Sequence, residues 1–152
     1  MNAIKKKKFS INQMHNALIE IQKQIILSKW SPDIILSLNR GGCVPGVYLS
    51  HLINTPHEVI DISRREYKIK PDFYILEKAF IRYKNILIID DINDTGRTLK
   101  YIEDTFEKYI NRIKFSVLIN NVSSKVKVDF VGEKINKKVD NSWIVFPWEE
   151  WK

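Results

Sequence analysis

The sequence predicts an α/β domain with a mostly parallel central sheet flanked by helices. Three observations predict it. Segments with helical spacing alternate along the chain with short apolar runs, the order expected when helices cross between neighbouring parallel strands. The strand-like segment NILII at residues 85–89 carries four apolar residues in a row, 86–89, as a strand covered on both faces must. A chain of 152 residues, 44% hydrophobic and 28% charged, suits one domain with a real core.

The elements follow in order. Ser10 is placed to cap a helix. Ile11, Met14, Leu18, Ile21 and Ile25 then keep helical spacing, and the helix should end near Trp30, before Ser31 and Pro32. Residues 33–38, DIILSL, read as a buried strand, and 39–42, NRGG, as a turn. Residues 44–53 read as a short helix with Pro45 in its first turn, where the missing N–H costs nothing. A second strand is expected at 58–62, a helix at 96–109 and a strand at 113–119. Residues 63–83 are polar and longer than most connections, which marks them as a flexible lid loop. Residues 120–142 are polar with short β-like patches, and the chain closes on WIVFPWEEWK. The expected layout is a single domain over 1–152. Its core is 33–119, and a small hood comes from 120–152 with the N-terminal region.

Composition narrows the function classes. No apolar run approaches the ~20 residues of a membrane span. The basic start MNAIKKKKF is not followed by the apolar stretch of a secretory signal. The one cysteine, Cys43, forms no internal disulfide and reads as a small buried filler. A cytoplasmic location is expected. The net charge of +7 comes mostly from lysines in a chain also rich in Ile and Asn. Such charge attracts polyanions, nucleic acid or small phosphates alike. The compact run at 5–8 reads as a frayed basic end, and no nucleic-acid partner is expected.

The segment ILIIDDINDTGRTL, residues 86–99, carries the chemistry. An apolar strand ends in Asp90 and Asp91, a turn holds Asn93, Asp94, Thr95 and Gly96, and a helix begins. Ligands of open α/β sheets bind at the carboxyl ends of strands. A helix N-terminus offers free N–H groups to a phosphate. Thr95 and Thr98 add hydroxyls, and Gly96 admits close backbone approach. Carboxylates repel a bare phosphate, but they suit ribose hydroxyls or a magnesium ion bridging sugar and pyrophosphate. A loop that mixes both fits a sugar phosphate.

This run resembles the motif by which type I phosphoribosyltransferases bind 5-phosphoribosyl-1-pyrophosphate (PRPP): an apolar strand, two acids, two variable residues, then D/E-T-G-x-T. The resemblance implies the type I phosphoribosyltransferase fold with its hood and lid. It also implies that Asp90 and Asp91 hold the ribose hydroxyls and Mg2+. Residues 94–98, with Asp94, Thr95, Gly96, Arg97 and Thr98, would cradle the 5′-phosphate. Asp94 would be the catalytic general base or acid near N7 of a purine.

Two further stretches are similar to the xanthine-guanine and hypoxanthine branch. In DIILSLNRGGCVPG, residues 33–46, the R-G-G-x-V-P-G form matches the pyrophosphate loop. Arg40 supplies a planar charged fork and Gly41 a close backbone. The family often holds a cis peptide here, expected at 39–41. In WIVFPWE, residues 143–149, Trp143 matches the aromatic that stacks on the base and Ile144 the residue whose backbone meets the base edge. Glu149 would sit near a second magnesium through water, while Trp148 and Trp151 pack the tail. The chain departs from the pattern at one place. The lysine that reads the exocyclic oxygen of 6-oxopurines is replaced by Asn120 or Asn121, with Lys125 out of register. Either Lys125 takes the role through an altered loop or the base differs; an amide both donates and accepts, so Asn121 is a candidate to read a 6-oxo or a 6-amino group. In the lid, Arg64, Arg65, Lys68 and Lys70 are available to fold over pyrophosphate.

The implied reaction joins PRPP to a purine base, with guanine, xanthine and hypoxanthine foremost, and yields nucleoside 5′-monophosphate and pyrophosphate. The family usually forms homodimers or homotetramers. Two rivals remain. One is a regulator of the same fold that senses nucleotide or binds RNA, since fold alone does not fix function. The other is an unrelated Asp-dependent phosphotransferase, in which the TGRT stretch would have no task.

Overall fold

Strands that are apolar on both faces need cover on two sides. The computed structural model, which describes residues 4–62 and 71–150, shows how the chain supplies it. Strand β1 (Lys6–Lys8) leads to α1 (Ile11–Leu27), β2 (Ile34–Leu38), α2 (Cys43–Ile53), β3 (His57–Ile60) and α3 (Tyr74–Arg82). The chain continues through β4 (Ile86–Asn93), α4 (Arg97–Thr105), β5 (Ile113–Asn121), β6 (Phe130–Ile135) and β7 (Trp143–Val145). Five strands form one sheet in the order β3-β2-β4-β5-β6, every pair parallel. Leu87 and Ile89 of β4 face the layer of α1 and α2, while Ile86 and Ile88 face α3 and α4. The expected α/β class with a parallel sheet between helices is what the chain adopts.

Helix α1 starts as its sequence predicts. Ser10 Oγ accepts from Gln13 N–H at 3.1 Å, and Gln13 Oε1 accepts from Ser10 N–H at 2.9 Å, a reciprocal capping box. The helix stops at Leu27 rather than near Trp30, and Lys29 takes a left-handed φ of 56° that turns the chain away. Its Gln24 amide brackets Val131 of β6, donating to the carbonyl at 2.8 Å and accepting from the N–H at 2.9 Å. Backbone groups on the outer edge of the sheet are thereby paired, as an edge strand requires.

Two boundaries differ from the sequence reading. Residues 74–82 of the expected lid are the helix α3, with Leu76 and Ala79 buried in the second core cluster. Leu76, Ala79 and Phe80 do keep helical spacing, but the charged stretch just before them draws the whole segment into one polar connection. Residues 63–70, with Arg64, Arg65, Lys68 and Lys70, lie outside the described residues, as does Trp151. The core sheet also runs beyond 119, because β6 adds a fifth strand from the polar stretch. Above the sheet, β1 and β7 form a separate two-stranded parallel sheet with Lys6 opposite Trp143. Phe146 ties it to the first core, its ring edge-on to Phe9 at 5.4 Å and stacked on Trp148 at 4.9 Å. Among the described residues no helix is long and apolar enough to cross a membrane.

Candidate active site

Strand β4 continues pairing through Asn93, with Ile92 opposite Ile119 and Asn93 opposite Asn120. Asp90 and Asp91 therefore ride on the sheet itself, and Asn93 is its last residue rather than part of the turn. Both carboxylates take a local backbone donor. Asp90 Oδ1 accepts from Asp91 N–H at 2.9 Å, and Asp91 Oδ1 accepts from Ile92 N–H at 2.7 Å. Burial, then the neighbouring Asp91 charge, pushes the Asp90 carboxyl well above its ordinary pKa. Burial pushes Asp91 up to about 6, the Ile92 N–H opposes this, and the charge of Glu149 adds to it. Desolvated neighbouring carboxylates resist ionising together, and a cation between them would relieve that cost.

The loop after β2 presses against this pair. Its Asn39–Arg40 peptide is cis, at the position expected. Gly42 N–H donates to Leu38 carbonyl at 2.9 Å and Cys43 N–H to Arg40 carbonyl at 3.1 Å, which closes the turn into α2. A Cβ on Gly41 would overlap the Asp91 carboxylate, so only glycine lets the two loops touch. Arg40 is exposed at the rim. The Cys43 thiol donates to Asn39 Oδ1 at 3.4 Å, and burial with the Asp90 and Asp61 charges raises its pKa. A thiol so held stays protonated, in keeping with a filler.

The turn into α4 hinges on Gly96, whose φ of 84° is left-handed. A Cβ there would lie 2.6 Å from Ser124 Oγ and 2.9 Å from Val126 Cγ2. No side chain caps α4 at Gly96, and the nearest hydroxyl, Thr95 Oγ1, accepts from Arg97 N–H at a long 3.4 Å. Thr95 and Arg97 are exposed and Thr98 is half-buried. The first turn of α4 thus presents N–H groups and hydroxyls outward.

Beneath the turn lies a polar layer that sequence reasoning missed. Asn93, 2% exposed, donates to Asn120 Oδ1 at 2.8 Å and to Ser124 Oγ at 3.1 Å. Asn121 was the expected base reader, and the structure turns it elsewhere. It is 5% exposed, and its amide donates to Asp94, at 2.9 Å to the carbonyl and 3.4 Å to Oδ1. The available signal is polar residues closing two buried apolar strands, Asn93 after 86–89 and Asn120 and Asn121 after 113–119.

The remaining site residues sit in the hood. Trp143 is 54% exposed, a free ring face of the kind a base can stack on. Ile144 turns its side chain into the first core. Glu149 Oε2 accepts from Phe146 N–H at 3.0 Å, and its charge is felt at Asp91. Trp148 packs the tail, as expected. Among the described residues no three His, Cys, Asp or Glu side chains converge closely enough to hold a metal alone. Ligation at Asp90 and Asp91 would be completed by water and substrate oxygens, the usual habit of Mg2+.

Known proteins share this fold. A family model described as phosphoribosyl transferase domain matches residues 9–151. The hypoxanthine-guanine phosphoribosyltransferase of Schizosaccharomyces pombe is 26% identical, over 93% of this chain and 87% of that one. The crystal structure of a purine phosphoribosyltransferase from Pyrococcus horikoshii is 27% identical with a TM-score of 0.72, covering 98% of this chain and 97% of that one. The Helicobacter pylori xanthine-guanine-hypoxanthine phosphoribosyltransferase has the same fold, with a TM-score of 0.72 at 21% identity over 95% and 93% of the two chains. A match this long, running through the sheet and through both glycine loops, makes the chain a member of the type I phosphoribosyltransferase family.

Proposed function

We propose that the chain transfers the 5-phosphoribosyl group of PRPP to a purine base, releasing pyrophosphate and a nucleoside 5′-monophosphate. The observation that carries the reading is the contact of the Gly41 loop with Asp91, which joins a pyrophosphate-type loop to an acidic sugar-binding strand at one sheet edge. Relatives at 26% and 27% identity named as purine phosphoribosyltransferases support the purine class. Within that class we assign 6-oxopurines, guanine, xanthine or hypoxanthine, on the match of Trp143 and Ile144 to the branch's tail.

The residues divide the work. The open first turn of α4, with Thr95, Gly96, Arg97 and Thr98, holds the 5′-phosphate. Asp90 and Asp91 take the ribose hydroxyls. Arg40 and the Gly41 backbone hold the pyrophosphate. Trp143 stacks on the base and the Ile144 backbone meets its edge. The base nitrogen bonds to C1′ as the C1′–O bond to pyrophosphate breaks, and pyrophosphate leaves with the electron pair. Asp94 exchanges the base proton at N7. Asp90 and Asp91 would hold Mg2+, with Glu149 beside a second ion, and the metal would supply positive charge to the leaving pyrophosphate. Positioning accounts for most of the acceleration.

The test is a panel of guanine, hypoxanthine, xanthine and adenine with PRPP and Mg2+, following pyrophosphate release. Turnover of at least one 6-oxopurine is expected. Silence with every purine overturns the reading.

A further inference from the structure

We infer that Asn121 is a positioning residue that holds Asp94 in place and ties it to the strand carrying Trp143. The inference rests on the proposed reaction and adds a residue that acts through another.

The β4–β5 ladder ends with Asn93 opposite Asn120. Asp94 is the first residue past it, where a backbone carbonyl loses its sheet partner. Asn121 supplies one from its side chain. Its amide nitrogen donates at 2.9 Å to the Asp94 carbonyl and at 3.4 Å to the Asp94 carboxylate. A side-chain amide therefore extends the ladder by one rung, and the same group restrains the carboxylate. The Asn121 oxygen is equally committed. It accepts from Ser123 N–H at 3.2 Å, Ser123 Oγ at 2.8 Å and Lys137 N–H at 3.1 Å. With its amide nitrogen turned onto Asp94, its oxygen accepting three bonds and only 5% of the residue exposed, Asn121 faces inward rather than toward a base.

The oxygen's partner extends the connection. Lys137 Nζ donates to the Ser142 carbonyl at 2.6 Å, immediately before Trp143. Asp94, Asn121, Lys137 and Ser142 form one hydrogen-bonded path from the core sheet to the hood. Its two ends are the proton-exchanging carboxylate and the segment carrying the stacking ring, whose separation must match the thickness and width of a base. Asn121 and Ser142 are buried and Asp94 and Lys137 half-buried, so the path is shielded enough from water to restrain the separation of its ends.

The test separates the two halves of the amide. Asn121→Asp keeps an oxygen for Ser123 and Lys137 but replaces the donor with a second carboxylate facing Asp94. A kcat lower by about tenfold to a hundredfold is expected, the scale of a small misplacement at a reacting group, with the PRPP KM within about twofold of wild type. Asn121→Gln, which keeps the amide on a longer stem, carries the same expectation and guards against a folding loss from the buried carboxylate. Ser123→Ala touches only the acceptor side and should keep the wild-type kcat. Wild-type kcat in both Asn121 variants overturns the inference, as does an equal fall in Ser123→Ala. A second readout needs no turnover. In the 15N-labelled wild-type chain the Asn121 side-chain amide protons should exchange slowly and shift when Asp94 is changed to Asn. Free exchange overturns the inference. A wild-type chain that turns over no base would fail the proposed reaction alone, since the amide measurement still judges this one.

Discussion

Helix α1 begins under the reciprocal Ser10–Gln13 box, whereas α4 begins at Gly96 with no capping side chain. Both helices face the same physical problem, four orphan N–H groups at the start. In α1 the chain solves it internally, and the helix serves only packing, its Met14, Leu18 and Ile21 buried in the first core. In α4 no side chain takes up these groups, which leaves them open to the phosphate proposed to bind there. The turn is shaped instead from below, by Gly96 over Ser124 and Val126 and by the asparagines closing β4 and β5. One helix start is closed by its own side chains and the other is open, as the proposed phosphate site requires, and each can be broken separately.

The largest effect is expected at the open start. Asp94→Asn removes the carboxylate proposed to exchange the base proton while keeping its size. It should lower kcat by about 10²- to 10⁴-fold in steady-state assays, with the fold intact by circular dichroism. An unchanged rate would show that the base proton moves elsewhere. Next comes Gly96→Val. A branched side chain at φ 84°, against Ser124 and Val126, should cost at least about 1–3 kcal/mol of stability and more than tenfold in PRPP affinity, read by thermal unfolding and by KM. Unaltered affinity would mean that the turn does not shape the phosphate site.

A smaller effect concerns the acidic pair beside that turn. In the metal-free fold Asp91 titrates near 6, above its ordinary 3.8. Between those values the folded chain keeps a proton that the unfolded chain has released, so stability falls as pH rises through the window. In EDTA, wild type should lose melting temperature relative to Asp91→Asn between about pH 4 and 6. Added Mg2+ should restore more at pH 7 than at pH 5. The opposite slope would show that some other group compensates the pair.

The smallest effect is expected at the closed start. Ser10→Ala should cost about 1 kcal/mol in denaturant unfolding and leave kcat and KM alone. A kinetic change there would dissolve the distinction between the two helix starts.

What was legible in the sequence was local. The Ser10 cap, the alternation of elements, the acidic strand end and the glycine turn at 96 each depend on residues within a few places of one another. Patterns of that range are written directly in residue order. The tertiary structure decided what depends on distant partners. It turned Asn121 onto Asp94, 27 residues away, and set Gln24 against the β6 edge, 107 residues away. It also paired β1 with β7 from opposite ends of the chain. A short polar run such as FVGEKI becomes a strand only because β5 offers an edge and α1 offers cover. An asparagine reads as a free amide in sequence, and only the packing around it determines which of its hydrogen bonds remain to be made.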